Sequence, residues 1–272
     1  MSNLLLTDFN NLMFQSIAVH QNFTYEDKFT GGVYGFLIQL CKLIGTYKPK
    51  NVVICNDKKP YIRSKLFPEY KAGRNSTEDE SFFFKISQSK QHIRNLCSVL
   101  EIPIWESVGA EADDLIANIV HQYHDKYEKI IIKSNDDDLK QLLIFDNVFF
   151  FKTKELYGRK EFLKEYPTAT PEIWIKMQAL AGTHNAVPGI KGVGLKTALK
   201  IVSDPMKFRK VLVEHGEMYG RNMELIKLPH PSLVIQNSPP IQPLKINQRN
   251  LNKFLTTLGI EFTSYMSRQL EQ

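Results

Sequence analysis

The sequence predicts an α/β protein in which a mostly parallel central sheet is flanked by helices and followed by a smaller helical unit. Three observations support this fold class. Short apolar runs alternate with segments of helical periodicity, acidic residues directly follow three of these runs, and the alternation stops after about residue 165. Hydrophobic residues make up 43% of the 272 residues, which is enough to form a packed core.

The elements of the larger unit follow from these patterns in chain order. Apolar runs with the length of buried strands occur at residues 3–7, 51–55, 102–105, 129–134 and 148–151. Helical periodicity occurs at residues 31–46, 86–100 and 111–123. Because the strands alternate with helices, we expect a largely parallel sheet that is covered by helices on both faces.

The smaller unit has a different character. A helix is predicted at residues 170–182, with Pro171 in its first turn, and a last helix is predicted near residues 247–258. Residues 229–243 are rich in Pro, Ser and Asn and should form a loop. We therefore divide the chain into residues 1–168 and residues 169–272.

Composition excludes several classes of protein. The net charge of +6 favours a polyanionic partner without proving one. Cys41, Cys55 and Cys97 form no CxxC pair, so neither a zinc site nor a disulfide framework is expected. The start of the chain lacks the pattern of a signal peptide, and no apolar run approaches 18 residues. A cytoplasmic protein without a membrane partner is the resulting prediction.

Acidic residues follow the ends of three predicted strands. Asp8, Asp57 and the pair Asp136 and Asp138 occupy these positions, and Asp137 between the pair is expected to face solvent. A single Asp after a strand is more often a helix cap. Three such positions favour one shared site, because ligands of open α/β sheets bind at the carboxyl ends of the strands.

A further acidic group opens the helix predicted at residues 111–123. Glu111 and Asp114 share a face, and Asp113 can approach a site beside the first turn. Simple capping would explain one acid better than three. Converging carboxylates would repel each other unless cations neutralised them, and ligand sets made only of oxygen suit Mg²⁺ or Mn²⁺. Two such ions about 4 Å apart are a standard arrangement for phosphodiester hydrolysis.

Two segments have the composition of nucleic-acid contacts. Residues 60–74 interleave cations such as Arg63 with aromatic residues, although an ordinary basic surface loop is an equally good interpretation of this segment alone. Residues 187–198 read VPGIKGVGLKTA, which is typical of a helix-hairpin-helix that holds a phosphate without reading the base sequence. The residues expected to contact DNA there are Gly189, Lys191, Gly192, Gly194, Lys196 and Thr197.

These motifs resemble those of the 5′-nuclease, or flap endonuclease, superfamily in its bacteriophage and bacterial form. The matching segments run in the family's order over about residues 4–202: LLLTDFNNL, NVVICNDKKPYIRSKLFPEYKAGR, VGAEADDLIA, IIIKSNDDDLKQLL and ALAG followed by VPGIKGVGLKTALKIV. The resemblance implies a PIN-like fold with a helical arch at about residues 72–92 and a C-terminal helix-hairpin-helix subdomain.

The resemblance also implies roles for individual residues. Tyr70, Lys71 and Arg74 would face the scissile phosphate, and Asp136 and Asp138 would reach a second metal ion. The first metal ion would be held by Asp8, Asp57, Glu111, Asp113 and Asp114. Backbone carbonyls near Val187, Ile190 and Val193 would hold a potassium ion at the hairpin.

The sequence departs from the family pattern at two places. The strand-end acid is expected at Asn56, but the aspartate here is Asp57. The stretch between ALAG and the hairpin reads THNAV and lacks the family's two aspartates. His184 in that stretch is expected to be an exposed loop residue rather than a ligand. The second metal site is therefore expected to be weaker than the first.

The expected function is a metal-dependent 5′→3′ exonuclease and structure-specific 5′ flap endonuclease that acts in DNA replication or repair. Its partners would be DNA with 5′ ends, flaps or duplex–single-strand junctions, and replication proteins. The protein would be a monomer in the cytoplasm of a bacterial cell or a phage-infected host. Two alternatives are a branched-DNA-binding protein with weak or lost nuclease activity and a PIN-like ribonuclease.

Overall fold

The computed structural model describes residues 2–71, 80–152, 155–183, 187–235 and 239–271. Its centre is a six-stranded sheet in the order β5-β4-β1-β6-β7-β8. The first five strands are parallel, and β8 pairs antiparallel with β7 at one edge. These strands are β1 (Asn3–Asp8), β4 (Pro49–Cys55), β5 (Ile104–Trp105), β6 (Lys129–Lys133), β7 (Val148–Lys152) and β8 (Glu155–Tyr157).

Helices and two short hairpins complete the fold. The hairpins pair β2 (Thr24–Tyr25) with β3 (Lys28–Phe29), and β9 (Gly182–Thr183) with β10 (Val187–Pro188). The helices are α1 (Phe9–Val19), α2 (Gly31–Tyr47), α3 (Ile62–Leu66), α4 (Glu80–Val99), α5 (Ala112–Tyr123), α6 (Arg159–Glu165), α7 (Pro171–Ala181), α8 (Leu195–Val202), α9 (Pro205–Ile226), α10 (Gln248–Thr256) and α11 (Ser264–Leu270). A 3₁₀ helix spans Asp137–Ile144.

The sheet separates two hydrophobic cores, because alternate residues of each strand point to opposite faces. Leu5 and Ile131 join the core that α1, α2 and α4 cover. Leu4 and Ile130 join the core on the other face, which contains residues of α5, α6 and α7. Burial on both faces explains why these strands are continuous apolar runs. The predicted α/β fold with a mostly parallel sheet is confirmed.

The C-terminal helices return to the N-terminal part of the chain. Leu251 of α10 and Met266 of α11 are buried in the same core as α2 and α4. The backbone of Leu244 donates to the carbonyl of Lys50, and Pro243 forms a bridge with Asn51. The boundary near residue 168 stays a prediction, but α10, α11 and residues 243–244 pack with the unit before that boundary.

Several elements escaped prediction for physical reasons. α1 begins with Phe9-Asn-Asn, and asparagine is a weak helix former whose side chain competes for backbone hydrogen bonds. α9 buries only three side chains and bends at His215, so its apolar periodicity is weak. The predicted strand at 102–105 is shorter and spans Ile104–Trp105. α4 is longer than predicted and begins at Glu80.

The predicted arch falls partly outside the described residues, which omit positions 72–79. Its remaining part, residues 80–92, is the first half of α4. Phe83 and Phe84 are exposed there, and Phe82 stacks on Phe14 with ring centroids 6.3 Å apart. No helix among the described residues has the length and apolarity needed to cross a bilayer.

Candidate active site

The predicted acidic residues lie at the ends of three neighbouring parallel strands. β1 lies between β4 and β6, with Asp8 paired to Cys55 and Thr7 paired to Lys133. Asp57 and Asp136 follow the ends of β4 and β6 within three residues. The shared strand direction therefore brings carboxylates that are far apart in sequence to one edge of the sheet.

Asp8 caps α1 and lies in the middle of this acidic group. Its Oδ1 accepts a hydrogen bond of 2.9 Å from the backbone of Asn11, which satisfies one free amide of the first turn. Burial and the charges of Asp57 and Asp136 together raise the pKa of Asp8 to about 7, although the hydrogen bond from Asn11 lowers it. The negative potential at Asp8 is thus only partly compensated by the chain.

Asp57, rather than Asn56, faces the acidic group. The Asn56 side chain donates to Glu106 at 2.5 Å, on the other side of the chain. Asp57 Oδ1 accepts from the backbone of Ala112 at 2.7 Å, and its Oδ2 accepts from Asn10 at 3.1 Å and from Tyr61 at 3.3 Å. Asp57 therefore also fixes the start of α5 relative to β4.

Asp113, in the first turn of α5, has an unsatisfied carboxylate oxygen. Its Oδ1 is buried and accepts no hydrogen bond from the described residues. Burial, followed by the charges of Asp136 and Asp8, raises the pKa of Asp113 well above the usual range of a carboxyl group. An oxygen in this position needs a donor or a cation to offset its desolvation.

Asp136 and Asp138 complete the acidic group from the turn after β6. Asp136 Oδ1 accepts from the backbone of Asp138 at 2.9 Å, which holds the turn closed. Asp138 Oδ1 accepts from Gln178 of α7 at 2.5 Å. Burial and the charge of Asp136 raise the pKa of Asp138 to about 7. Asp137 is exposed, as predicted, and its Oδ1 lies 3.3 Å from Lys140 Nζ.

The donor set fits a hard divalent cation. The five carboxylates are partly buried, and their mutual repulsion raises the pKa values of Asp8, Asp113 and Asp138. One oxygen of Asp113 lacks a partner in the described part of the chain. Oxygen ligands of this kind suit Mg²⁺ or Mn²⁺. Among the described residues, no three acidic, His or Cys side chains already converge into a complete metal-binding group. A cation would therefore have to draw these carboxylates closer together.

Glu111 and Asp114 bind side chains outside the acidic group in the structure, and their role as metal ligands stays a prediction. Asp114 is fully buried, and Arg63 binds both of its oxygens at 2.6 and 2.8 Å. Asp114 Oδ1 also accepts from the backbone of His230 at 2.9 Å. Glu111 accepts from Arg63 and Tyr70, each at 3.0 Å, and forms an ion pair with Lys71.

Arg63 and Tyr70 are likewise buried, and their roles in contacting DNA stay predictions. Arg63 is 2% exposed and also donates to the carbonyls of Leu225 and Lys227 at the end of α9. Tyr70 is 7% exposed and packs with Val187 and Leu225. Both side chains donate to Glu111 and hold it in position from inside the protein.

The ammonium group of Lys71 reaches the acidic group. Burial disfavours its charge, but Glu111 and Asp113 outweigh burial and raise its pKa, so the ammonium stays protonated. The same charge lowers the pKa values of Asp8, Asp113 and Asp138. The backbone of Lys71 has a φ of 57°. Arg74, predicted beside it, lies outside the described residues.

The predicted helix-hairpin-helix lies between α7 and α8. Gly194 is the N-cap residue of α8 and has no side chain that could bind the free amides of the first turn. Gly192 has a φ of 83°, in the left-handed region that favours glycine. A Cβ at either glycine would meet no atom within 4 Å, so this turn is open to solvent. Lys191, Lys196 and Thr197 are exposed around it. The arrangement leaves the amide groups at the start of α8 accessible to an anion.

The base of this hairpin is packed closely. A Cβ on Gly189 would lie 2.1 Å from the carbonyl carbon of Ala181, so only glycine fits there. The amide of Ile190 donates to Leu180 at 2.8 Å, and the carbonyl of Ile190 accepts from Val193 at 3.0 Å. The potassium site predicted at Val187, Ile190 and Val193 stays a prediction. His184 and Asn185 lie outside the described residues.

Sequence reasoning missed the polar residues that hold the acidic group in place. Gln178 lies on the buried side of α7 and is 4% exposed, while its Oε1 has no partner in the described residues. Asn10 and Tyr61 bind Asp57 from different segments. A polar residue in an apolar helical stripe is the signal that could have identified Gln178; Asn10 and Tyr61 offer no comparable signal.

Comparison with known proteins identifies the family. Residues 3–167 match the family described as 5′-3′ exonuclease, N-terminal resolvase-like domain. The chain belongs to this 5′-3′ exonuclease family. A 5′-3′ exonuclease of Aquifex aeolicus is 27% identical over 269 residues, which cover 93% of this chain and 90% of that protein. A 5′-3′ exonuclease of Buchnera aphidicola from Acyrthosiphon pisum is 30% identical over 215 residues, which cover 78% of this chain and 69% of that protein.

Longer relatives and solved structures extend the comparison. The DNA polymerase I of Bacillus subtilis is 29% identical over 228 residues, which cover 81% of this chain. The chain spans about a quarter of the length of that polymerase, since the match covers 25% of it. The bacteriophage T5 flap endonuclease, solved as a pseudo-enzyme-product complex with DNA and metal ions, is 22% identical with a TM-score of 0.71, and the match covers 99% of this chain and 100% of that one. The flap endonuclease-1 of Methanococcus jannaschii is 17% identical with a TM-score of 0.63, and the match covers 99% of this chain and 91% of that one.

Proposed function

We propose that this member of the 5′-3′ exonuclease family hydrolyses DNA phosphodiester bonds as a divalent-metal-dependent 5′→3′ exonuclease and 5′ flap endonuclease. The acidic group at the ends of β1, β4 and β6 carries the proposal. Its members are Asp8, Asp57, Asp113, Asp136 and Asp138. The names of the relatives and the DNA and metal ions bound to the T5 flap endonuclease support it.

The residues of the chain suggest how the metal ions would be held. Asp8, Asp57 and Asp113 would hold one divalent ion, and Asp136 with Asp138 would hold a second one more weakly. When bound, these ions supply an activated water and neutralise charge on the leaving oxygen. Gln178 would keep Asp138 oriented through its hydrogen bond. Thr183 is the last described residue before the hairpin segment that begins at Val187. Its hydroxyl oxygen is buried and has no hydrogen-bond partner among the described residues.

Other residues would position the substrate. The protonated Lys71 lies between Glu111 and the acidic group, where it could contact a phosphate oxygen and stabilise developing negative charge. The open turn at Gly192 and Gly194 would hold a backbone phosphate of duplex DNA at the start of α8. Carbonyls of Val187, Ile190 and Val193 would hold K⁺ in the same hairpin.

A substrate panel tests the proposed function. The purified chain should cleave a 5′-flap DNA and a 5′-ended duplex in Mg²⁺ or Mn²⁺, and EDTA should prevent cleavage. Matched RNA substrates should be cleaved much more slowly, because the hairpin is suited to duplex DNA. Tight binding to flap DNA without product in either metal would instead indicate a branched-DNA-binding protein. Preferential cleavage of RNA would indicate a ribonuclease.

The proposed contact between the hairpin and DNA can be tested separately from cleavage. Lys196→Ala should weaken binding to duplex DNA of any sequence by about the same factor, since its contact would be to phosphate. The slope of log affinity against log salt should become shallower by about 0.9, the value for one lost phosphate contact. Binding would be measured with Ca²⁺ in place of Mg²⁺. Lys160→Ala removes an equally exposed cation from α6 and should leave the slope unchanged.

A further inference from the structure

A pocket lies behind the acidic turn, on the face of the sheet that α1 and α2 cover. We call it the Lys133 pocket, and its volume is about 540 Å³, within the range of small-molecule sites. The residues that line it are Gln15, Gln39, Lys42, Leu43, Lys133, Asn135, Asp137 and Phe151. None of these residues belongs to the proposed nuclease site.

The turn after β6 separates this pocket from the acidic group. Asn135 and Asp137 line the pocket. Asp136 and Asp138, which alternate with them, interact electrostatically with Asp8, Asp113 or each other. The pocket and the proposed nuclease site therefore lie on opposite sides of the short segment at residues 135–138.

Lys133 carries a buried charge without an acidic partner. It is 5% exposed, and its Nζ donates to Gln15 Oε1 at 3.1 Å. Among the described residues, no carboxylate lies within ion-pair distance of its Nζ. Burial and the positive charge of Lys42 lower the pKa of Lys133. A buried ammonium group in this state is costly unless an anion compensates it.

The second cation of the pocket faces the same aromatic ring. Lys42 Nζ lies 5.5 Å and Lys133 Nζ lies 5.7 Å from the centroid of Phe151. Of the lining residues, Asp137 is the acidic one, and its Oδ1 lies 3.3 Å from Lys140. The pocket thus presents two ammonium groups to one space, and the nearby carboxylate already contacts another cation.

Amide groups of the lining are partly committed to the protein. Gln15 donates to Asn11 at 2.6 Å and accepts from Lys133, and Gln39 donates to Ser16 at 3.4 Å. The charged donors that remain for a ligand are the two ammonium groups, and the side chain of Asn135 adds an amide donor. Such a set matches a compact anion with several acceptor oxygens.

We propose that the Lys133 pocket binds a phosphate group through Lys42, Lys133 and Asn135. Free inorganic phosphate, a nucleoside monophosphate and the 5′ end of a DNA strand all carry this group. The site is separate from the phosphate position expected at the start of α8. A bound phosphate would also contact the segment that carries Asp136 and Asp138.

Calorimetric titration of the full chain tests this proposal. The titrants are inorganic phosphate, thymidine monophosphate and a 5′-phosphorylated oligothymidylate, in EDTA at constant ionic strength. The protein is compared with Lys42→Met, Lys133→Met and, as a control, Lys160→Met. Lys42 is exposed, so its replacement should not disturb folding, and circular dichroism and Tm check Lys133→Met.

Phosphate should bind the original protein and Lys160→Met with the same affinity. It should bind Lys42→Met and Lys133→Met at least about tenfold more weakly, because each variant loses a charge-assisted hydrogen bond. Tighter binding of the monophosphate or oligonucleotide than of phosphate, if Lys42→Met and Lys133→Met abolish the difference, would assign the ligand of the pocket to nucleotide or DNA. Equal binding of all three would assign it to the phosphate group alone. Unchanged affinity in Lys42→Met and Lys133→Met, or no saturable binding of any titrant, would overturn the proposal.

Discussion

Replacing Asp113 with Asn should reduce DNA cleavage by about a thousandfold while leaving affinity for flap DNA nearly unchanged. A bound metal contributes several kcal/mol of transition-state stabilisation, and each tenfold in rate corresponds to roughly 1.4 kcal/mol. Asp113 carries a carboxylate oxygen that is buried without a hydrogen-bond partner in the described part of the chain. Cleavage would be measured in single-turnover reactions with Mg²⁺, and affinity in Ca²⁺.

The same variant should be more stable than the original protein when metal is absent. The folded-state pKa of Asp113 is raised above that of an ordinary aspartate, so its ionised form destabilises the fold at neutral pH. A neutral amide removes this charge, and Tm in EDTA at neutral pH should rise. Mg²⁺ should raise the Tm of the original protein, because it binds the folded state, and should raise the Tm of Asp113→Asn less.

Asp137→Asn is the matched control, because it removes one charge from the turn between Asp136 and Asp138. Asp137 is exposed and lies beside Lys140. Its replacement should leave cleavage and the Mg²⁺-induced rise in Tm intact. Cleavage by Asp113→Asn at the original rate, or an equal Mg²⁺-induced rise in Tm, would show that Asp113 does not bind the metal.

Much of the fold follows from local sequence patterns. The buried strands β1, β4 and β6 are continuous apolar runs, because both faces of the sheet are covered. The acidic group at their ends then follows from the parallel order of the strands. What the sequence does not reveal is the return of α10 and α11 to the first core. That packing depends on contacts between residues about 200 positions apart.

The arrangement of the acids in the first turn of α5 shows a second limit of sequence reasoning. The spacing of Glu111 and Asp114 correctly places them on one face, where they form a capping box. Spacing alone does not reveal what that face contacts. The partner is Arg63, which comes from a segment whose basic and aromatic composition suggested an exposed DNA contact.

Replacing Arg63 with Met should destabilise the protein by about 3–5 kcal/mol, the usual effect of breaking a buried ion pair. Arg63 is among the largest fully buried side chains, and it neutralises both Glu111 and Asp114. Its loss would leave two carboxylates buried beside each other. It would also remove hydrogen bonds to Leu225 and Lys227, which connect α3 to the end of α9. Urea denaturation measures the difference.

A double-mutant cycle separates the cost of the unpaired carboxylates from the cost of the lost hydrogen bonds to Leu225 and Lys227. If the orphaned carboxylate dominates, adding Asp114→Asn to Arg63→Met should restore part of the lost stability, although Asp114→Asn alone is destabilising. Arg63→Lys keeps the charge, but an ammonium group cannot bind two carboxylates and two carbonyls at once as the guanidinium does. Its loss of stability should therefore be smaller than that of Arg63→Met. Arg159→Met breaks a pair with Asp146 whose two side chains are 38% and 85% exposed, and it should cost at most about 1 kcal/mol.

Activity then distinguishes a positioning role of Arg63 from a purely structural one. Glu111 connects Arg63 to Lys71, so a displaced Glu111 would change the place and the charge environment of the Lys71 ammonium. Folded Arg63→Lys should therefore show a reduced kcat with little change in KM, because DNA binding at the hairpin is untouched. A loss of less than about 1 kcal/mol in Arg63→Met, the range of an exposed pair, would contradict the buried network. An unchanged kcat in Arg63→Lys would limit Arg63 to folding.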